Sequence, residues 1–263
     1  MTRRMFMAAA AALAITGAAH AEVKTQEVEY RQGDTPLQGF LAYDDAATGK
    51  RPGVLVVHEW WGHNDHARNA ATKLAEAGYV AFALDMFGKS KVTTHPEEAK
   101  GFVAEATKDP DVKRARFEAA LEQLKAQPQV DPARIGVVGY CFGGGVALDM
   151  ARAGEDLKAL ATFHAPLQPS GEPARKATFR PRAILVQTGG ADPMVPKEQV
   201  QALEKEMKAA GVKAQVITYP GAKHAFTNPK ADEAGSPALA YDAKADRASW
   251  AAMLKYLRQV LGR

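Results

Sequence analysis

Apolar and polar positions alternate over residues 23–30 and again over 37–43, with the pair Gly33-Asp34 between them. Period-two alternation broken by a turn pair predicts an antiparallel hairpin with one face on a core. The pattern then changes. Gly53-Val54-Leu55-Val56-Val57 is a short unbroken apolar run, as expected of a strand buried on both faces, and helical spacing follows over 64–77, stopping at Gly78. The same unit recurs, with strands predicted at 79–84, 135–138, 157–163, 183–188 and 214–219. Helices are predicted at 96–107, 112–126, 144–153, 197–210 and about 238–260. This alternation predicts an α/β fold: a mostly parallel central sheet with helices on both faces and antiparallel strands at the N-terminal side. Loops at the strand C-terminal ends carry function in such sheets.

Composition adds a compartment to that picture. The first 21 residues contain Arg3-Arg4, an apolar run from Ala8 to Ala19, and Ala19-His20-Ala21 as a small-x-small cleavage site. They read as a signal peptide, followed by a single domain over 22–263 and a periplasmic or secreted location. The arginine pair resembles a twin-arginine export signal, but two arginines before an apolar run also serve ordinary secretion, so both routes stay open. The apolar run is shorter than the roughly 20 residues a membrane-spanning helix needs, so no anchor is expected after cleavage. Two arginines leave with the peptide, and the formal net charge drops from +4 to +2. Basic residues are scattered among acids, which argues against a nucleic-acid partner. A monomer is expected, with no repeat or low-complexity tract.

The chemistry concentrates in Gly139-Tyr140-Cys141-Phe142-Gly143-Gly144-Gly145, which follows the strand predicted at 135–138. A strand that turns sharply into a helix needs small residues two positions either side of the apex, and Gly139 and Gly143 meet that need. Helix N–H groups beginning just after Cys141 favour a thiolate and offer donors to an oxyanion. Cys141 is the chain's single cysteine, so an intramolecular disulfide is excluded. Its alternative reading is a buried thiol in a glycine-rich turn.

Two more residues fall just past strands. Asp192 follows the strand predicted at 183–188, and His224 the one at 214–219. Taken singly, Asp192 reads equally as a turn former and His224 as a loop histidine. Together with Cys141 they give the chain order nucleophile, acid, histidine, which belongs to the α/β-hydrolase fold and predicts a Cys-His-Asp triad.

With His58-Glu59-Trp60-Trp61-Gly62, Leu84-Asp85-Met86-Phe87-Gly88 and His224-Ala225-Phe226, the chain resembles the dienelactone hydrolase family from about Gly53 onward. That resemblance implies carboxymethylenebutenolidase-type hydrolysis of carboxylic esters or lactones, without a cofactor. It implies that a carboxylate at Glu59 contacts the nucleophilic cysteine and that the N–H groups of Trp60 and Phe142 form the oxyanion hole. A glutamate just past a buried strand, between aromatic residues, is expected to have a raised pKa, or else to pair with a loop cation. Two arginines hold the carboxylate of dienelactone in family members. Lys89 and Asn228 occupy those places here and, with Trp61, are the candidate substrate contacts. Lys89, Lys91 and Lys223 read either as attractors of an anionic substrate or as solvated lysines.

Other constellations point elsewhere. His58 reads as structural. His63 and His66 lack a third ligand nearby in sequence, so no metal site is expected. His164, in Phe163-His164-Ala165-Pro166, reads as a strand terminator or a pocket-lining residue. Two function classes compete with the hydrolase: a non-catalytic small-molecule binder, and a redox-responsive thiol protein in which Cys141 cycles through sulfenic acid.

Overall fold

The unbroken apolar runs become the middle of the sheet. In the computed structural model, which describes residues 22–262, eight strands form one sheet among the described residues. They are β1 (Val23–Gln32), β2 (Thr35–Asp44), β3 (Arg51–Val57), β4 (Val80–Leu84), β5 (Val130–Tyr140), β6 (Ala159–Phe163), β7 (Ala183–Gly189) and β8 (Lys213–Tyr219). The spatial order is β1-β2-β4-β3-β5-β6-β7-β8. β2 is antiparallel to both β1 and β4, and every other neighbouring pair is parallel. This is the α/β architecture that the periodicity predicts. The leader read from residues 1–21 lies outside the described residues.

Every residue of β3 and β4 is buried, and the two faces feed different cores. Leu55 and Val57 pack with Phe117, Leu121 and Leu124 of α3 (Pro110–Lys125). Val54 and Val56 pack with Ala67, Ala71 and Leu74 of α1 (Asp65–Glu76) and with Met253 and Leu257 of α6 (Ala243–Leu261). The first core also takes Leu148 of α4 (Phe142–Ala153) and Leu203 and Met207 of α5 (Lys197–Ala209). Cutting a side chain such as Leu55 back to alanine costs about 2–5 kcal/mol. α2 (Pro96–Thr107) lies beside α3. Local chemistry sets the helix ends. Asn64 caps α1 by accepting from His66 N, Asp109 caps α3 ahead of Pro110, and Gly154 closes α4 at φ 99°.

A buried charge network ties the helices of the first core together. Arg152 of α4 grips Glu206 of α5 through Nε and Nη2, both at 2.8 Å, and donates to Leu167 O at 2.9 Å. Lys113 of α3 donates to Asp149 at 2.8 Å and to Ser170 at 2.7 Å. The crossover between β6 and β7 is thus pinned to α4.

Most element ends fall within two residues of the sequence expectation. β5 is longer, because residues before Ile135 also pair with β3 across a register shift at Pro52/Gly53. The helix expected from 238 starts at Ala243, capped by Asp242 accepting from Lys244 and Ala245. Residues 238–242 are held away from helix by longer-range bonds: Ala240 N donates to His224 O (3.2 Å) and Asp242 N to Phe226 O (3.1 Å). No helix among the described residues is long and apolar enough to cross a membrane.

Candidate active site

Between the last residue of β5 and the first of α4 sits Cys141, with φ 48° and ψ −122°. L-residues rarely adopt this conformation, and it persists only where the surroundings enforce it. The enforcement is close packing. A Cβ on Gly139 would lie 2.3 Å from Gly143 O, and one on Gly143 would lie 2.3 Å from Val57 O. Neither position has room for any side chain. The half-buried thiol therefore sits at the N-terminal end of α4, where free N–H groups and the helix dipole favour negative charge.

The loops after β7 and β8 are laced together by bonds from Gly190 N to Tyr219 O (2.7 Å) and from Ala191 N to Ala222 O (2.9 Å). They deliver Asp192 and His224 to the same place. Asp192 Oδ2 lies 2.9 Å from His224 Nδ1, while Oδ1 accepts from Met194 N at 2.8 Å. His224 Nε2 lies 3.1 Å from Cys141 Sγ. Both ring nitrogens are thus engaged, and the carboxylate at Nδ1 directs Nε2 to the sulfur. Burial alone would lower the His224 pKa. The charge on Cys141 and the bonds to Asp192 and Cys141 outweigh it and push the pKa up to about 10. At neutral pH the arrangement favours an imidazolium beside the sulfur.

Two features that hold His224 are not legible as motifs. The first is a clamp: His224 N donates to Ala238 O at 3.1 Å and its carbonyl accepts from Ala240, so Leu239 runs parallel beside it. The second is His164, at φ 40° just past β6 and fully buried. Its ring stands edge-on to that of His224, with centroids 5.1 Å apart, and its Nε2 lies 2.9 Å from Thr227 Oγ1. Burial first, then the neighbouring His224, drives the His164 pKa well below the usual range, so this ring is neutral. His164 does terminate its strand as expected, but it terminates it under His224. A buried histidine following a strand was its one sequence signal.

Glu59 leaves the end of β3 beside the elbow, since Val57 pairs with Gly139 across the sheet. Its carboxylate is 2 % exposed and accepts from Asn228 Nδ2 at 2.6 Å. The resemblance implied a contact between Glu59 and the cysteine. The carboxylate's hydrogen-bond partner is Asn228 and the sulfur's is His224. Phe142 follows the thiol as the first residue of α4, and Trp60 lies in the loop after β3, packed against Trp61. His58 is structural. Its Nε2 accepts from Met86 N at 3.1 Å and its Nδ1 meets Glu59 O at 2.5 Å, and burial holds its pKa low.

The candidate substrate contacts separate. Asn228 is buried on Glu59, and Trp61 packs against Trp60 in an apolar cluster with Ala225 and Leu239. Lys89 is turned outward to Glu29 of β1. Lys91 pairs with Glu105 at 2.6 Å, and Lys223 donates to Pro237 O at 2.8 Å. No group of three metal-ligating side chains, with or without His63 and His66, comes together among the described residues. A cavity of about 380 Å³ opens between α1 and α6, lined by His66, Lys73, Tyr140, Thr227, Asp246 and Trp250, but it does not include Cys141.

A mixed sheet of this order, with a strained apical residue after β5, an acid after β7 and a histidine after β8, defines an α/β-hydrolase fold. The chain belongs to the dienelactone hydrolase family, whose model matches residues 37–261. It is similar to the solved structure of P91, a dienelactone hydrolase-like promiscuous phosphotriesterase from metagenomic libraries. The two are 36% identical over 91% of this chain and 99% of that one, with a TM-score of 0.86. The structure named m3DLH is 39% identical, at the same coverage and TM-score. An Aquifex aeolicus (strain VF5) protein named "Putative carboxymethylenebutenolidase" is 30% identical over 223 residues, covering 83% of this chain and 94% of that protein.

Proposed function

We propose that the protein is an exported cysteine hydrolase of carboxylic esters or lactones. The observation that carries the reading is the line Cys141 Sγ–His224 Nε2–Asp192, at 3.1 and 2.9 Å, set on a strained elbow at the strand ends. The Cys141 thiolate attacks the carbonyl carbon. The N–H groups of Trp60 and Phe142 take the charge that develops on oxygen, donors of a kind worth about 3 kcal/mol each. His224 gives its Nε2 proton to the departing alkoxide as the thioester forms, then takes a proton from water as hydroxide attacks that thioester. Asp192 keeps the imidazole oriented throughout. The acid leaves and the thiolate returns. A thiolate leaves more readily than most alkoxides, so activated esters and strained lactones suit this nucleophile better than alkyl esters or amides.

Glu59, buried just past the end of β3 and bonded to Asn228, is the further proposed participant, at the place where the family resemblance puts a carboxylate beside the nucleophile. Export and a periplasmic or secreted location rest on the Arg3-Arg4 pair, the apolar run and Ala19-His20-Ala21. The mass of the mature N-terminus in fractionated cells tests them. A monomer is proposed, and light scattering tests it.

The activity is tested with p-nitrophenyl acetate and a small unsaturated lactone, comparing the wild type with Cys141→Ala. A burst of nitrophenolate and a thioester mass on Cys141, both absent in the variant, are expected. Equal rates in the two proteins would remove Cys141 from the reaction.

A further inference from the structure

The cavity between α1 and α6 has no part in the mechanism, yet its floor is built from residues tied to the triad. Tyr140 precedes Cys141 in the chain, and its ring stacks on that of Phe163 with centroids 4.7 Å apart. Thr227 Oγ1 lies 2.9 Å from His164 Nε2 and 3.4 Å from His66 Nε2, and His164 stands against His224. At about 380 Å³ the cavity falls near the lower end of ligand-site volumes, which begin at about 300 Å³. A small ligand is the size it suits.

The lining says what kind. Tyr140 is 2 % exposed, and burial pushes its pKa up and keeps the phenol neutral. Its hydroxyl makes no hydrogen bond among the described residues. A buried hydroxyl left in that state is costly, and a ligand group that bonds it removes the cost. The main charge acting on it is that of Asp246, whose Oδ2 accepts from the Tyr241 hydroxyl at 3.1 Å while Oδ1 is left over. Around these polar atoms the cavity is aromatic, with Phe163, Trp250 and the ring of His66 edge-on to Tyr140. Both signs of charge line it: Lys73, whose Nζ lies 4.7 Å from the Trp250 ring centroid, against Asp246 and Glu76. An anion would therefore meet two carboxylates and a cation would meet Lys73. An uncharged ring with a hydroxyl meets neither.

We infer that this cavity is a second ligand site, separate from the thiol, and that it takes a small, uncharged, hydroxylated aromatic ring. The ligand hydroxyl accepts from Tyr140 and donates to the spare oxygen of Asp246, while the ring packs against Trp250. The inference goes beyond the hydrolase reading and does not depend on it, because Cys141 does not line the cavity.

Phenol, benzoate and benzylammonium share a ring and differ in charge. They are titrated by calorimetry at pH 7 into the full-length protein, before and after capping of Cys141 with iodoacetamide, the cap verified by mass. Phenol is uncharged at that pH, its pKa being about 10 like that of tyrosine. It is expected to bind with a Kd below about 1 mM, equally in both forms, and about 10-fold or more tighter than either ion. Thr72→Phe, which fills the cavity from a half-buried position on α1, should weaken phenol by about 10-fold or more. Tyr140→Phe, which keeps the ring and removes the hydroxyl, should weaken it by about 5-fold. Thermal melting checks that both variants fold, and Tyr140→Phe decides alone if Thr72→Phe does not. No phenol binding below about 10 mM would overturn the inference, as would binding unmoved in the folded variants or binding abolished by the cap. Equal affinity for benzoate or benzylammonium would overturn it too. Turnover is tested separately by Cys141→Ala, so the hydrolase reading stands or falls on its own.

Discussion

Two clusters of buried charge sit along α4, and they are built on opposite plans. At its N-terminal end, Cys141, His224 and Asp192 form a single file in which the sulfur has one described hydrogen-bonding side chain. Two and three turns further on, Asp149 and Arg152 join Lys113, Glu206 and Ser170 in a mesh where most members have several partners. The mesh rests on ordinary helical backbone, whereas the file rests on a residue at φ 48°. A saturated cluster fixes geometry; an unsaturated one keeps a reactive atom available to a newcomer. The contrast predicts that damage to the file is read in rate and damage to the mesh in stability.

Cys141→Ala sharpens the comparison most. Hydrolysis of p-nitrophenyl acetate should fall by about 10⁴-fold or more, with thermal unfolding little changed. The same variant should drop the His224 pKa below about 10, since the main opponent of burial is gone; NMR titration of the imidazole reads this directly. Next, Asp192→Asn should lower kcat by roughly 10²–10⁴-fold, because the ring loses the partner that fixes its tautomer.

Arg152→Met should act the other way round. Leaving Glu206 buried and unpaired costs about 3–5 kcal/mol in denaturant unfolding, while kcat at low temperature stays near wild type. A large kcat loss there without destabilisation would break the distinction between file and mesh.

The two clusters should also fail at opposite ends of the pH scale. His224 has its pKa raised from 6.5 to about 10, so its stabilising contribution is full below 6.5, declines above it and is gone beyond 10. Activity should fall only as the pH passes about 10, where the folded protein loses this proton donor. Burial would raise the pKa of Glu206, but its bonds to Arg152 and Ala174 N outweigh burial and lower it from 4.5. Its contribution holds above 4.5 and disappears as acid protonates it. Unfolding followed by fluorescence from about pH 2.5 to 10.5 checks both limbs. The smallest effect is expected at Lys158→Ala, whose pair with Asp156 is exposed: within about 0.5 kcal/mol.

Sequence pattern carried the file further than the mesh. Cys141, Asp192 and His224 are legible because each follows a strand whose period announces it, and Gly139 and Gly143 because the elbow has no room for a Cβ. Lys113, Asp149, Arg152 and Glu206 carry no motif, since nothing local tells a helix that its charged face will be covered. The same blindness explains the helix expected from 238: propensity favoured it, and bonds to His224 and Phe226 prevailed. Glu59 was placed correctly on its strand end, but its partner was set by Asn228, 169 residues away. Lys89 turned outward because Glu29 on the neighbouring hairpin captured it.

The clamp around His224 has a consequence for how this scaffold tolerates change. Its bonds to residues 238 and 240 close the base of an excursion whose outer part carries a short 3-10 turn, Ala231–Ala234, and then Gly235 at φ 64°. Chain added at Gly235 lengthens the excursion without moving either end. The added closure entropy grows only logarithmically, by about 0.6 kcal/mol for each doubling of length. Gly235 is therefore where a new cover for the thiol, or a tag or second domain, can be grafted while the histidine stays anchored.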